Sequence, residues 1–139
     1  MRAFIEAKVK FKKQLQNGKI KEINEPYLVK ALSFTEAEAR VTEEVRPFIS
    51  GDFSVSAVTK SNIVEVFYDP AGDFWYKVKA NFISLNEKTN TEKLTSSYYL
   101  VQARDFRSAY DNFQKGMKDT MADYTIASIT ETKIMDVFE

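Results

Sequence analysis

Two stretches of alternating residues carry side chains suited to one chemistry. Lys8, Lys10 and Lys12 share one parity with Phe4 and Glu6, while Ala7, Val9 and Phe11 hold the other. Seventy-one residues later, Lys77 and Lys79 share their parity with Trp75, Asn81 and Ile83, opposite Val78, Ala80 and Phe82. Ammonium groups next to aromatic rings on one sheet face are what a single nucleic-acid strand needs: rings stack on bases and lysines neutralise phosphates. Tyr98 belongs with Trp75 if the hairpin register brings the two strands together. The candidate nucleic-acid-binding set is therefore Lys8, Lys10, Lys12, Trp75, Lys77, Lys79 and Tyr98. The ordinary reading of alternating lysines is a solvated or edge-protecting strand face.

Other chemistries find less support. The chain has no cysteine and no histidine, which excludes disulfides, thiol nucleophiles, imidazole bases and the usual zinc sets. The four glycines, Gly18, Gly51, Gly72 and Gly116, form no phosphate-cradling loop. Asp69 and Asp73 flank one turn, and Asp119 and Asp123 follow another apolar stripe. Acidic residues so placed are ordinarily turn chemistry rather than a magnesium site. A non-enzymatic protein without cofactor or metal is expected.

Positive and negative charge balance but are unevenly placed. The first 21 residues hold Arg2, Lys8, Lys10, Lys12, Lys13, Lys19 and Lys21 against Glu6, whereas acidic residues dominate the next thirty. A basic and an acidic surface on one fold follow from such a split. Hydrophobic residues at 44% and aromatic residues at 14% supply a packed core rather than a disordered chain. No apolar run approaches the length of a membrane span. The opening Met1-Arg2-Ala3-Phe4-Ile5-Glu6 has no signal-peptide character, so a cytoplasmic location is expected.

The elements that must position these residues occur twice. Tyr27-Leu28-Val29 returns as Tyr99-Leu100-Val101, and Ala31, Phe34 and Ala37 return as Ala103, Phe106 and Ala109. Ile63-Val64-Glu65-Val66-Phe67 returns as Ile134-Met135-Asp136-Val137-Phe138. Residues 3–15 read as a half-buried strand, with Gln16-Asn17-Gly18-Lys19 a type I′ hairpin turn and a return strand to Ala31. Pro26 marks an edge or a bulge there. Ser33 and Glu36 suggest a capping box opening a helix over 34–48, whose stripe is Phe34, Ala37, Val41, Val45 and Phe48. Asp105 caps the second helix, with Phe106, Ala109, Phe113 and Met117 as its stripe. Residues 53–59 and 62–68 read as strands, as do 74–85, 93–104, 124–130 and 133–138.

The fold class is therefore α+β: a tandem internal duplication, β-β-α-β(β) twice, with antiparallel sheet and both helices on one face. One domain over 1–139 is expected, made of pseudo-repeats at about 3–68 and 74–138. The last strand needs a partner, either the N-terminal strand or another subunit, and a homodimer through terminal strands is one outcome.

The stretches Glu25-Pro26-Tyr27-Leu28-Val29, Ala31–Arg40 and Met117–Asp136 resemble a family of small uncharacterised proteins from gut anaerobes of the Bacteroides type and their phages, a domain of unknown function. The resemblance covers nearly the whole chain and assigns no catalytic residues. A phage setting would imply replication or counter-defence. In topology alone, two four-strand-plus-helix units are similar to Whirly and PUR-type single-strand binders, in permuted order and without their motifs. The function expected is single-stranded DNA or RNA binding. The alternative is a protein- or small-ligand-binding module, such as a sequestering factor, or an assembly subunit.

Overall fold

Alternation of small apolar residues with lysines makes β1 (Ala3–Gln14) a strand with one buried face, and it pairs along its whole length with β2 (Ile20–Ala31). A computed structural model describes residues 2–139. α1 (Phe34–Val45) follows, then β3 (Phe53–Lys60) and β4 (Ile63–Phe67). The second half repeats the order with β5 (Phe74–Asn86), β6 (Thr91–Ala103), α2 (Phe106–Gly116), β7 (Tyr124–Glu131) and β8 (Val137–Phe138). The protein is thus α+β, with two α-helices and two four-stranded, mainly antiparallel sheets among the described residues. No helix of the described residues is long and apolar enough to cross a membrane.

The chain divides into two compact units, Met1–Ser61 with Lys133–Glu139, and Asn62–Thr132. The first holds the sheet β3-β1-β2-β8 and the second β7-β5-β6-β4. Each unit therefore takes its last strand from the other repeat. β4 pairs in parallel with β6, and β8 in parallel with β2 at Leu28 and Val29. This corrects the expectation that the final strand joins the N-terminal strand. Pro26 fits the arrangement, because its carbonyl accepts from Met135 N at 2.8 Å. The N–H it lacks would point to that same side, where the pairing is only beginning.

In the first unit Ile5, Ala7, Val9, Tyr27, Val29 and Ala31 pack beneath Ala37, Val41 and Val45 of α1. In the second, Val78, Ala80, Tyr99 and Val101 pack beneath Phe113 and Met117. Phe113 meets Tyr99, Tyr124 and Phe67 at centroid distances of 5.3, 5.8 and 6.1 Å. The expected stripes pack through Ala37, Val41 and Val45 in α1 and through Ala109, Phe113 and Met117 in α2, while Phe34, Phe48 and Phe106 are exposed. Phe34 and Phe106 are about half exposed because each begins its helix at the rim of the sheet. Phe48 is 85% exposed because α1 stops at Val45, before Pro47, and a 3-10 turn at Arg46–Phe48 redirects the chain. Ile49 packs on the core in its place.

Two local expectations also change. Ser33 Oγ accepts from Glu36 N at 3.1 Å, but the Glu36 carboxylate pairs with Arg2 at 3.2 Å rather than closing a capping box. The reciprocal box forms at α2 between Asp105 and Ser108. At the first hairpin only Gly18 has positive φ, +81°. Gly18 N donates to Leu15 O and Leu15 N to Lys19 O, a type I turn with a G1 bulge rather than type I′.

Candidate nucleic-acid interface

The register decides which candidate residues meet. Across β5 and β6, Trp75 lies opposite Gln102, Lys77 opposite Leu100, Lys79 opposite Tyr98 and Asn81 opposite Ser96. On the other flank Lys77 faces Thr130 and Lys79 faces Ser128 of β7. Since Val78 and Ala80 are committed to the helix-side core, Lys77, Lys79, Tyr98 and Trp75 share the opposite, helix-distal face. Lys77 Nζ stands 4.7 Å from the centre of the Tyr98 ring, and Lys79 is the direct cross-strand neighbour of that ring. Among the described residues neither lysine forms an ion pair. The next row holds a polar pair, Ser96 Oγ donating to Asn81 Oδ1 at 2.8 Å.

A β-bulge lies immediately beside this cluster. Ser128 opposes Lys79 and Ile126 opposes Ala80, so Ala127 is the extra residue. The first unit has the same irregularity, with Ser56 extra between Ala57 opposite Lys8 and Val55 opposite Val9. Such a bulge increases the local strand twist and re-aims nearby side chains. It occurs at matching positions of both repeats, and so belongs to the scaffold.

Trp75 departs from the expected role. It is 3% exposed, stacks edge-on against Tyr68 at 5.8 Å, and its carbonyl accepts from Thr132 N and Oγ1. Its indole therefore offers no free face to a base. Leu100, in the next row, is fully buried. The helix-distal face is thus closed at its Trp75 end and accessible from the Lys79–Tyr98 row toward the hairpin. Parity in the sequence assigns Trp75 to the correct face but does not say whether that face is open.

The first unit places Lys8, Lys10 and Lys12 on the equivalent face in a different setting. Lys10 pairs with Glu22 at 3.0 Å, and Lys12 lies directly across from Glu22. Lys8 is exposed between Pro26 and Ala57, with no ring beside it. Pro26 stands where the second repeat has Tyr98, and Phe4, the counterpart of Trp75, is buried with Lys30 Nζ 5.4 Å above its ring. Among the described residues, the lysine–aromatic combination therefore exists in an accessible form on the second unit alone.

The Asp69 and Asp105 carboxylates serve structure. The Asp69 carboxylate accepts from Asn112 Nδ2 at 2.9 Å and Ala71 N at 3.0 Å, while Asp69 N donates to Gln102 Oε1. Gln102 Nε2 in turn donates to Gly72 O. These donors, the Asn112 amide foremost, hold the Asp69 carboxyl below its ordinary range. The Ser108 backbone N–H does the same for Asp105. Burial pushes the hydroxyls of Tyr27, Tyr76 and Tyr99 upward, so they stay protonated. Among the described residues no group of three or more carboxylates converges as a metal site would require.

The fold and site define an α+β protein of two strand-exchanged units, one of them presenting two lysines about a tyrosine. The chain belongs to the family described as Domain of unknown function (DUF4494), whose model matches residues 3–139. No curated protein and no solved structure matches it.

Proposed function

We propose that the protein binds single-stranded nucleic acid, DNA or RNA, on the helix-distal face of β5 and β6, without catalysing a reaction. The observation that carries the reading is the Lys77–Tyr98–Lys79 cluster, one ammonium over the ring and a second lysine directly across the strand from it, with no carboxylate paired to either among the described residues.

A base stacks on Tyr98 while the flanking phosphates meet Lys77 and Lys79. Base–aromatic stacking contributes about 1–3 kcal/mol, whereas an exposed cation–π contact contributes about 0.5–1 kcal/mol. A base therefore displaces Lys77 from the ring and frees its ammonium for phosphate. Lys8 is a weaker auxiliary contact, and Lys10 and Lys12 are offset by Glu22. With positive and negative charges balanced over the whole chain, binding is moderate and falls with salt. The resemblance to proteins of Bacteroides-type anaerobes and their phages makes replication or counter-defence inside the cell its setting.

Fluorescence anisotropy with labelled oligothymidylate and oligouridylate tests this at low salt. Each single-strand phosphate contact contributes about 0.7 to the slope of log K against log salt. Replacing both lysines, Lys77→Ala with Lys79→Ala, should then flatten the slope by about 1.4. Absence of binding, or a slope indifferent to both lysines, would overturn the proposal.

A further inference from the structure

The β5–β6 ribbon continues past the lysine cluster and changes character. Pairing with β7 ends at Phe82 opposite Tyr124, with one last bond from Ile83 N to Asp123 O. Beyond it the ribbon is two-stranded. Its helix-distal face there presents Ile83 directly opposite Leu94, with Leu85 one row on. These side chains are 37%, 62% and 60% exposed. The equivalent positions of the first repeat are Lys12, Glu22 and Gln14. Three aliphatic residues therefore replace polar ones in the repeat that also has Tyr98 and the unpaired lysines.

Three partly exposed aliphatic side chains fall far short of the roughly 800 Å² per partner that a stable protein pair buries. They do lie in register with a cationic patch: the rows run Lys77, Lys79–Tyr98, Asn81–Ser96, Ile83–Leu94 and Leu85–Glu92 along one face. A polyanion with apolar faces matches that sequence of rows, and nucleic acid has this chemistry. Leu and Ile side chains are among those that pack against unstacked bases in nucleic-acid complexes.

We infer that the ribbon end is the continuation of the binding track, with Ile83, Leu85 and Leu94 receiving bases of the strand whose phosphates sit on Lys77 and Lys79. This rests on the function proposed above. From Lys77 to Leu85 the track is about 27 Å long at ~3.4 Å per residue. That length suits on the order of four nucleotides, the low end for a single binding fold. Glu92, opposite Leu85, ends the track by repelling further phosphates.

The test compares wild type, Ile83→Ser with Leu94→Ser, and Lys77→Ala with Lys79→Ala by anisotropy on oligothymidylate and on an abasic strand of equal length. Sedimentation is run in parallel. The ribbon substitutions are exposed and should leave folding intact. They should weaken oligothymidylate binding about tenfold with an unchanged salt slope, and leave abasic-strand binding unaltered. The lysine pair should flatten the slope on both strands. Ribbon substitutions without effect, where the lysine pair does weaken binding, would overturn the inference and spare the proposed function. Loss of binding by wild type itself would overturn both. A wild-type dimer that the ribbon substitutions dissolve would overturn the inference in favour of self-association.

Discussion

Trp75 separates scaffold from site, and truncating it gives a quantitative test. The indole is 3% exposed, so Trp75→Ala removes nearly the whole side chain from a packed environment. Large-to-Ala changes of this kind cost about 3–5 kcal/mol, of which the edge-on contact with Tyr68 contributes about 0.5–1.5 kcal/mol. Typical domains have only about 5–15 kcal/mol of stability in total. At this chain length each kcal/mol lowers Tm by about 3–4 °C, so a fall of about 10–20 °C is expected. Trp75→Phe, which restores the residue found at Phe4 in the first repeat, should lose less than half of that. Far-UV circular dichroism melts read the stability, and anisotropy on oligothymidylate below the lowered Tm reads the binding. Trp75 is the only tryptophan, so wild-type emission should be blue-shifted and resistant to acrylamide. The reasoning is refuted if Trp75→Ala melts like wild type yet loses nucleic-acid affinity, because the indole would then be an open platform.

Three further outcomes follow from the scaffold. A Cβ at Gly72 would stand 2.6 Å from backbone atoms of Ala103, which cannot yield as a flexible side chain can. Gly72→Ala should cost about 1–3 kcal/mol, readable as a shifted urea midpoint. Asp105→Ala removes the α2 cap and its bond from Ser108 N at 2.8 Å; a lower urea midpoint is expected in the same assay. Asp69 and Asp105 both titrate below their ordinary value of 3.8 when folded. Their contribution is complete above that value and disappears as pH falls through the lowered folded values. Stability should therefore decline below about pH 4, and Asp69→Asn with Asp105→Asn should make that acid limb shallower.

The duplication made most of the fold legible. Alternation in residues 3–12 and 74–83 identifies β1 and β5 and assigns every side chain to a face, because the strand period is two. The exchange of β4 and β8 is not readable this way. Ile63–Phe67 and Ile134–Phe138 are near-equivalent sequences, so either can satisfy the outer side of β2 or β6. Connection lengths and packing decide between them. Glu36 has the right spacing for a capping box, but Arg2, distant in sequence, competes for its carboxylate.

The same limit governs the site. Face assignment brought Lys77, Lys79, Tyr98 and Trp75 together, and the register agrees. Burial of Trp75 and the pairing of Lys10 with Glu22 are tertiary facts with no local sequence signal. The ribbon residues had such a signal: Lys12, Gln14 and Glu22 become Ile83, Leu85 and Leu94 between the repeats.

The most direct test of the central claim is a residue-resolved one. Backbone amide NMR shifts of the labelled protein, titrated with short oligothymidylate at low salt, locate the bound strand. Saturable changes are expected at Lys77, Lys79, Ser96 and Tyr98, with the matching positions of the first repeat, Glu6, Lys8, Asn24 and the neighbours of Pro26, little affected. Changes confined to the helices, equal changes in both repeats, or none at all would contradict the claim.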